Sequence, residues 1–172
     1  MQQALLVLAA GLIAAPAAAQ DPLAATLLAA HNSERSAVGH APLQWDDRLA
    51  ADAAAYAPVL ASLGRLVHSP RDSRPSQSEN LAMASHRSLR PEQLVGLWSR
   101  EKLLLRPGMF PVVSRTGRWE DVGHYTQMVW PTTTRVGCAL HPGPMDVLVC
   151  RYSPKGNIDG KPVFAVSAMA SR

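Results

Sequence analysis

The sequence predicts an α+β fold in one domain, with helices covering an antiparallel sheet. Segments of helical period fill the first two thirds of the chain, and β-favouring runs separated by turn chemistry fill the last third. Residues 21–172 have the length of a single domain with a full core, and no repeat or linker divides them.

Residues 1–20 are apolar and carry no charged side chain, and Ala17-Ala18-Ala19 supplies the small residues of a cleavage site. This reads as a secretory signal peptide. The alternative is a membrane anchor. Gly11 and Pro16 interrupt the run, which falls short of the roughly 20 apolar residues a span needs. No later stretch is long and apolar enough to cross a bilayer.

Asp21-Pro22 opens the first helix with a cap and a proline at its first position, and Gly39 closes it, so the helix runs about Pro22 to Val38. His31, Asn32 and Arg35 form a polar cluster on it, expected to anchor the helix to neighbouring backbone. Asp46 caps a second helix, on which Leu49, Ala53, Tyr56, Leu60 and Leu63 make one stripe. Pro58 inside it should kink the helix or remove a backbone bond, and Gly64 ends it. Residues 65–76 read as loop with a short extended piece. A third helix spans about Pro91 to Leu104 and sets Leu94, Trp98 and Glu101 on one line. Glu101 must therefore reach the rim or find a partner, because an unpaired buried charge is costly. Residues 106–118 form a proline-broken loop. Gly123 to Trp130 form a short helix that Pro131 stops, with His124, Gln127 and Met128 on one face and Tyr125 and Val129 on the next. Thr132–Leu140 and Val147–Tyr152 are strands around the turn residues His141–Asp146, and Ser153–Lys161 is a turn-rich loop.

The net charge is +4, with Lys and Arg scattered and only 5% aromatic residues. A nucleic-acid groove needs basic clusters with stacking platforms, so none is expected. Cys138 and Cys150 are the only cysteines. In an exported chain two thiols usually pair, and the hairpin brings these near each other; two buried free thiols are the alternative. Neither an HExxH pair nor a GxSxG elbow nor a glycine-rich phosphate loop occurs, so spacing alone assigns no metal or nucleophile.

Gly123-His124-Tyr125-Thr126-Gln127-Met128-Val129-Trp130 closely resembles a signature of the CAP superfamily, which comprises the cysteine-rich secretory, antigen 5 and pathogenesis-related 1 proteins. Val149-Cys150-Arg151-Tyr152-Ser153-Pro154-Lys155-Gly156-Asn157-Ile158 resembles the second signature. His31-Asn32 with Arg35, Leu43-Gln44-Trp45-Asp46, His68-Ser69, Glu79-Asn80-Leu81-Ala82 and the Trp98 to Glu101 spacing resemble other stretches of the family. The resemblance implies a three-layer α-β-α sandwich over residues 21–172. It implies a central cleft in which His68 and His124 are ligands of a divalent metal, commonly zinc, with Glu79 and Glu101 beside them. Ser78 stands where the family has glycine, and residues 103–118 find no counterpart and are expected to reshape one rim. A single hairpin disulfide suggests a minimal, bacterial version.

The function this implies is an exported, extracellular or periplasmic, monomeric binding module for a lipid, sterol, protein or cell-surface partner. Two alternatives stand beside it. One is a metal-dependent hydrolase with Glu79 or Glu101 as general base. The other is a defence or virulence-type effector.

Overall fold

The computed structural model describes residues 21–164, so the expected signal peptide lies outside the described residues, as does the end of the chain. Asp21 accepts from the Leu23 amide and Pro22 opens α1 (Pro22–Ala37), whose buried stripe is Ala24, Leu27, His31 and Arg35. Gly39 follows with φ +74, the left-handed turn that glycine adopts without strain. The chain then lays down a two-residue strand, β1 (Gln44–Trp45). Asn32 holds it in place by accepting from the Leu43 amide and donating to the Leu43 carbonyl.

α2 (Asp47–Leu63) begins where the Asp46 carboxylate accepts from the Arg48 and Leu49 amides and ends at left-handed Gly64. Its buried stripe is Leu49, Ala53, Ala57 and Leu60. Tyr56 and Leu63, expected in the stripe, are not: Tyr56 sits at its edge and donates from its hydroxyl to the Val67 carbonyl, and Leu63 is exposed. The helix passes through Pro58 unbroken. Pro58 and Ala54, the residue one turn back, both face solvent, so water can satisfy the carbonyl the proline leaves bare.

β2 (Ser78–Ser85) precedes α3 (Pro91–Ser99), which tightens at Arg100 into a 3-10 turn over Arg100–Leu103 instead of continuing as one helix to Leu104. Then come α4 (Gly123–Met128), β3 (Arg135–His141) and β4 (Met145–Ser153). The sheet order is β1-β3-β4-β2. β3 and β4 are antiparallel as expected, and β2, a strand the sequence does not announce, adds to β4 antiparallel; β1 pairs with β3 in parallel, so the sheet is mixed at one edge.

Alternation along the strands separates two cores. Leu81, Val147 and Val149 pack with Ala53, Ala57 and Leu60 beneath α2. Ala82, Val136, Leu148 and Tyr152 pack with Leu27, Trp98, Tyr125 and Trp130 beneath α1, α3 and α4. This is the α-β-α sandwich. Gly137 lets α2 lie directly on the sheet, since a Cβ there would stand 2.2 Å from the Ala50 nitrogen. Cys138 and Cys150 are opposite each other across β3 and β4 and form a disulfide. Among the described residues no helix is long and apolar enough to cross a membrane.

Candidate functional site

A cavity of about 900 Å³ opens where β2 begins and β4 ends, at the seam between the two helical layers. His68, Glu79 and His124 line it. Phe110 and Pro111 line it too, so residues 103–118 contribute to its rim.

The first pair comes from the α2 side. Glu79 is the second residue of β2, and its side chain is 0% exposed. Its Oε1 accepts from His68 Nδ1 at 2.8 Å and from the Ser69 amide at 3.0 Å. Its Oε2 accepts from Ser69 Oγ at 3.0 Å and pairs with Arg151 Nη2 at 3.0 Å. Burial alone would raise the Glu79 carboxyl, but the His68 hydrogen bond, the Arg151 charge and the Ser69 donors outweigh it and hold the group below its ordinary value. Arg151 is buried in turn, with its guanidinium over the Tyr56 ring.

The second pair comes from the other layer. Glu101, in the 3-10 turn after α3, has its partner. Its Oε1 accepts from His124 Nδ1 at 2.6 Å, and its Oε2 accepts from the His124 and Tyr125 amides at 3.0 Å each. A carboxylate thus satisfies the free amides at the start of α4, where negative charge suits the helix end. The His124 ring stacks on Trp98 with centroids 5.9 Å apart, and Trp98 donates to the Leu81 carbonyl.

Asn80 ties the pairs together. It follows Glu79 on β2 but points to the opposite face, donating to the His124 carbonyl at 3.0 Å and to the Tyr152 hydroxyl at 3.1 Å. Tyr152 donates to His31 Nε2 at 2.8 Å, because His31 Nδ1 is committed as donor to the Leu27 carbonyl at 2.7 Å. Burial keeps that imidazole neutral, with its pKa lowered to about 4, and pushes the Tyr152 phenol well up. Arg35 fixes the far end of α4 by donating to the carbonyls of Met128, Trp130 and Thr133. The His31, Asn32 and Arg35 cluster therefore anchors helix to backbone, as its composition suggests.

Ser78, which stands where the family has glycine, has no left-handed φ and so no strain of that kind; the left-handed residue here is Ser76. Ser78 Oγ donates to Gln127 Oε1, which also accepts from the Gly156 amide. Gly156 permits this approach, since a Cβ there would lie 2.6 Å from the Trp130 ring. Arg151 and Ser69 were missed as site residues.

Among the described residues, the one group of three or more His, Cys, Asp or Glu with ligand atoms within 4.8 Å of one another is His31, Cys138 and Cys150, where the sulfurs form the disulfide. The two cavity histidines instead each pair with a glutamate. Each histidine donates from its Nδ1 to a carboxylate, which fixes the tautomer and leaves the unprotonated Nε2, without a partner among the described residues, as a lone pair free to ligate. Imidazoles oriented in this way fit a divalent cation.

The family model of the cysteine-rich secretory protein family, CAP, matches residues 28–152. Pathogenesis-related protein 1C of Nicotiana tabacum is 39% identical over 137 residues, covering 78% of this chain and 76% of the relative. A pathogenesis-related protein 1 of Arabidopsis thaliana is 39% identical over 159 residues, covering 89% and 90%. These relatives are plant proteins, and they lend no support to the bacterial version expected. Among solved structures, the crystal structure of NaASP2 with Zn2+ superposes with TM-score 0.68 at 26% identity over 88% of this chain and 90% of that one. Na-ASP-1 superposes with TM-score 0.71 at 26% identity, with this chain spanning 42% of its length.

Proposed function

The chain belongs to the cysteine-rich secretory protein (CAP) family, and from that premise we propose that it is an exported binding module whose central cleft takes a divalent metal on His68 and His124. The observation that carries the reading is the matched pair of carboxylates behind the two imidazoles, each meeting Nδ1. Imidazole nitrogen suits zinc, and the crystal structure of NaASP2 with Zn2+ supports the choice of ion. A bound ion would supply a positive centre able to polarise a ligand oxygen. The two histidines hold it, and Glu79 and Glu101 orient them.

Binding is favoured over hydrolysis by how the carboxylates are used. Both Glu79 oxygens are spent on four donors, and the depressed carboxyl is a poor proton acceptor. Glu101 accepts three hydrogen bonds and does not line the cavity. A general base needs a free lone pair facing the substrate, and neither group offers one. Phe110, Trp119 and Ile158 give the cavity an apolar wall, which supports a lipid, sterol or protein partner. The disulfide supports an extracellular or periplasmic location. The pathogenesis-related names of the plant relatives favour a defence-type role for the module.

Metal analysis of the purified protein beside the His68→Ala, His124→Ala variant tests the cleft. Stoichiometric zinc in the parent and none in the variant is expected. Zinc should raise the melting temperature by mass action, and acid should abolish that rise as the ligands protonate. Equal metal content in both proteins sinks the reading.

A further inference from the structure

A second group of ligating side chains lies beneath α1, apart from the cavity. His31, Cys138 and Cys150 are all buried, and a ring nitrogen of His31 lies within 4.8 Å of both sulfurs. With the sulfurs joined to each other neither is a ligand, since metals bind the thiolate. The geometry around them is nonetheless that of a prepared site. His31 Nδ1 donates to the Leu27 carbonyl, so its proton is fixed there and the Nε2 lone pair faces the sheet. A backbone carbonyl behind the non-ligating nitrogen is the outer contact that metal-bound imidazoles carry. On Nε2 stands only the Tyr152 hydroxyl, a neutral partner that an ion can displace. Cys150 and Tyr152 share a face of β4, and Cys138 is opposite Cys150 in the β3–β4 ladder. The backbone ladder, and not the sulfur bond alone, keeps the two cysteines side by side.

We propose that the reduced protein carries a buried soft-metal site made of Cys138, Cys150 and His31, and that disulfide formation closes it. A phosphine or thiol reductant supplies two electrons to the disulfide and is itself oxidised, and two thiols form. These release two protons as they bind one divalent cation. Two thiolates and a neutral imidazole around a doubly positive ion make a neutral group, the form of charge that an apolar core tolerates. Three protein ligands suit zinc and leave a fourth position open. A chain that meets zinc before oxidation holds the ion in its core, and the ion must leave before the sulfurs can join.

Cobalt(II) titration of the full protein, anaerobic and kept reduced with tris(2-carboxyethyl)phosphine, tests this. A thiolate-to-cobalt charge-transfer band saturating at one equivalent is expected in the reduced protein and none in the oxidised one. The band should persist in the His68→Ala, His124→Ala variant, which separates this site from the cleft. It should vanish in Cys138→Ser and need about tenfold or more cobalt in His31→Gln. If reduction loosens the fold, one equivalent of cobalt should restore the native far-ultraviolet circular dichroism. No charge-transfer band, a band indifferent to His31→Gln, or a loosened fold that cobalt fails to restore overturns the proposal.

Discussion

Glu79 is shut away from solvent while His68 beside it is 55% exposed; Glu101 keeps 18% exposure and His124 has 33%. In the first pair the acid is the rigid member. Strand, serine and buried arginine hold it, and the imidazole hangs from a loop. In the second pair the imidazole is the rigid member, stacked on Trp98, with its own amide and carbonyl both bonded. One half of the cavity is therefore fixed by charge burial and the other by helix-end hydrogen bonds and stacking. Two kinds of physics deliver similar donors to one space, and they should fail under different insults.

The largest effect should come from the enclosed half. Arg151→Met strands the Glu79 charge and should cost about 3–5 kcal/mol in urea unfolding, as loss of one partner of a buried pair does. The double variant Glu79→Gln, Arg151→Met should recover most of it. A single-variant loss below about 1 kcal/mol would show that charge burial does not hold this half. Acid should come next, and it enters through the other half. The His31 pKa is lowered from 6.5 to about 4, so the unfolded chain binds more protons between those values. The contribution is whole above pH 6.5 and drains away as pH falls toward 4, a loss of about 3 kcal/mol that His31→Gln should flatten. The depressed Glu79 carboxyl acts lower still, its contribution persisting until the pH falls through its folded value. Glu101→Gln, which weakens charge-assisted bonds to two amides and an imidazole, should cost about 1.5–3 kcal/mol, and imidazole nitrogen shifts should report a freed His124. His68→Ala should be smallest for stability, within about 0.5 kcal/mol, yet should remove most of the zinc-induced rise in melting temperature. An equally large stability loss at His68 would erase the contrast between the halves.

Much of this was legible. Asp21, Asp46, Gly39 and Gly64 mark helix ends that the structure keeps, and the turn residues after His141 announce the hairpin that joins the cysteines. β2 escaped notice because Ser-Glu-Asn-Leu-Ala-Met-Ala-Ser is poor in the branched and aromatic residues that advertise strands. Its pairing with β4 supplies the order instead. The tightening at Arg100 left no mark in the spacing of Leu94, Trp98 and Glu101, yet it brings Glu101 to the α4 amides. The four residues of the two His–Glu pairs were reached by resemblance, since no local spacing joins side chains so far apart in the chain. Arg151 and Ser69 were invisible because their roles depend on a strand register that only folding reveals.

Glu79 and Asn80 are neighbours on one strand, and they address different histidines from opposite faces of the sheet. The link between the two halves is thus a single peptide unit, with α-carbons about 3.8 Å apart whatever the loops do. Inserting or deleting one residue in β2 would turn both side chains to the wrong sides together. Changes of length between residues 103 and 118 reshape the entrance and leave that link intact. Diversity in the rim and constancy in the floor are then both permitted by the same covalent ruler.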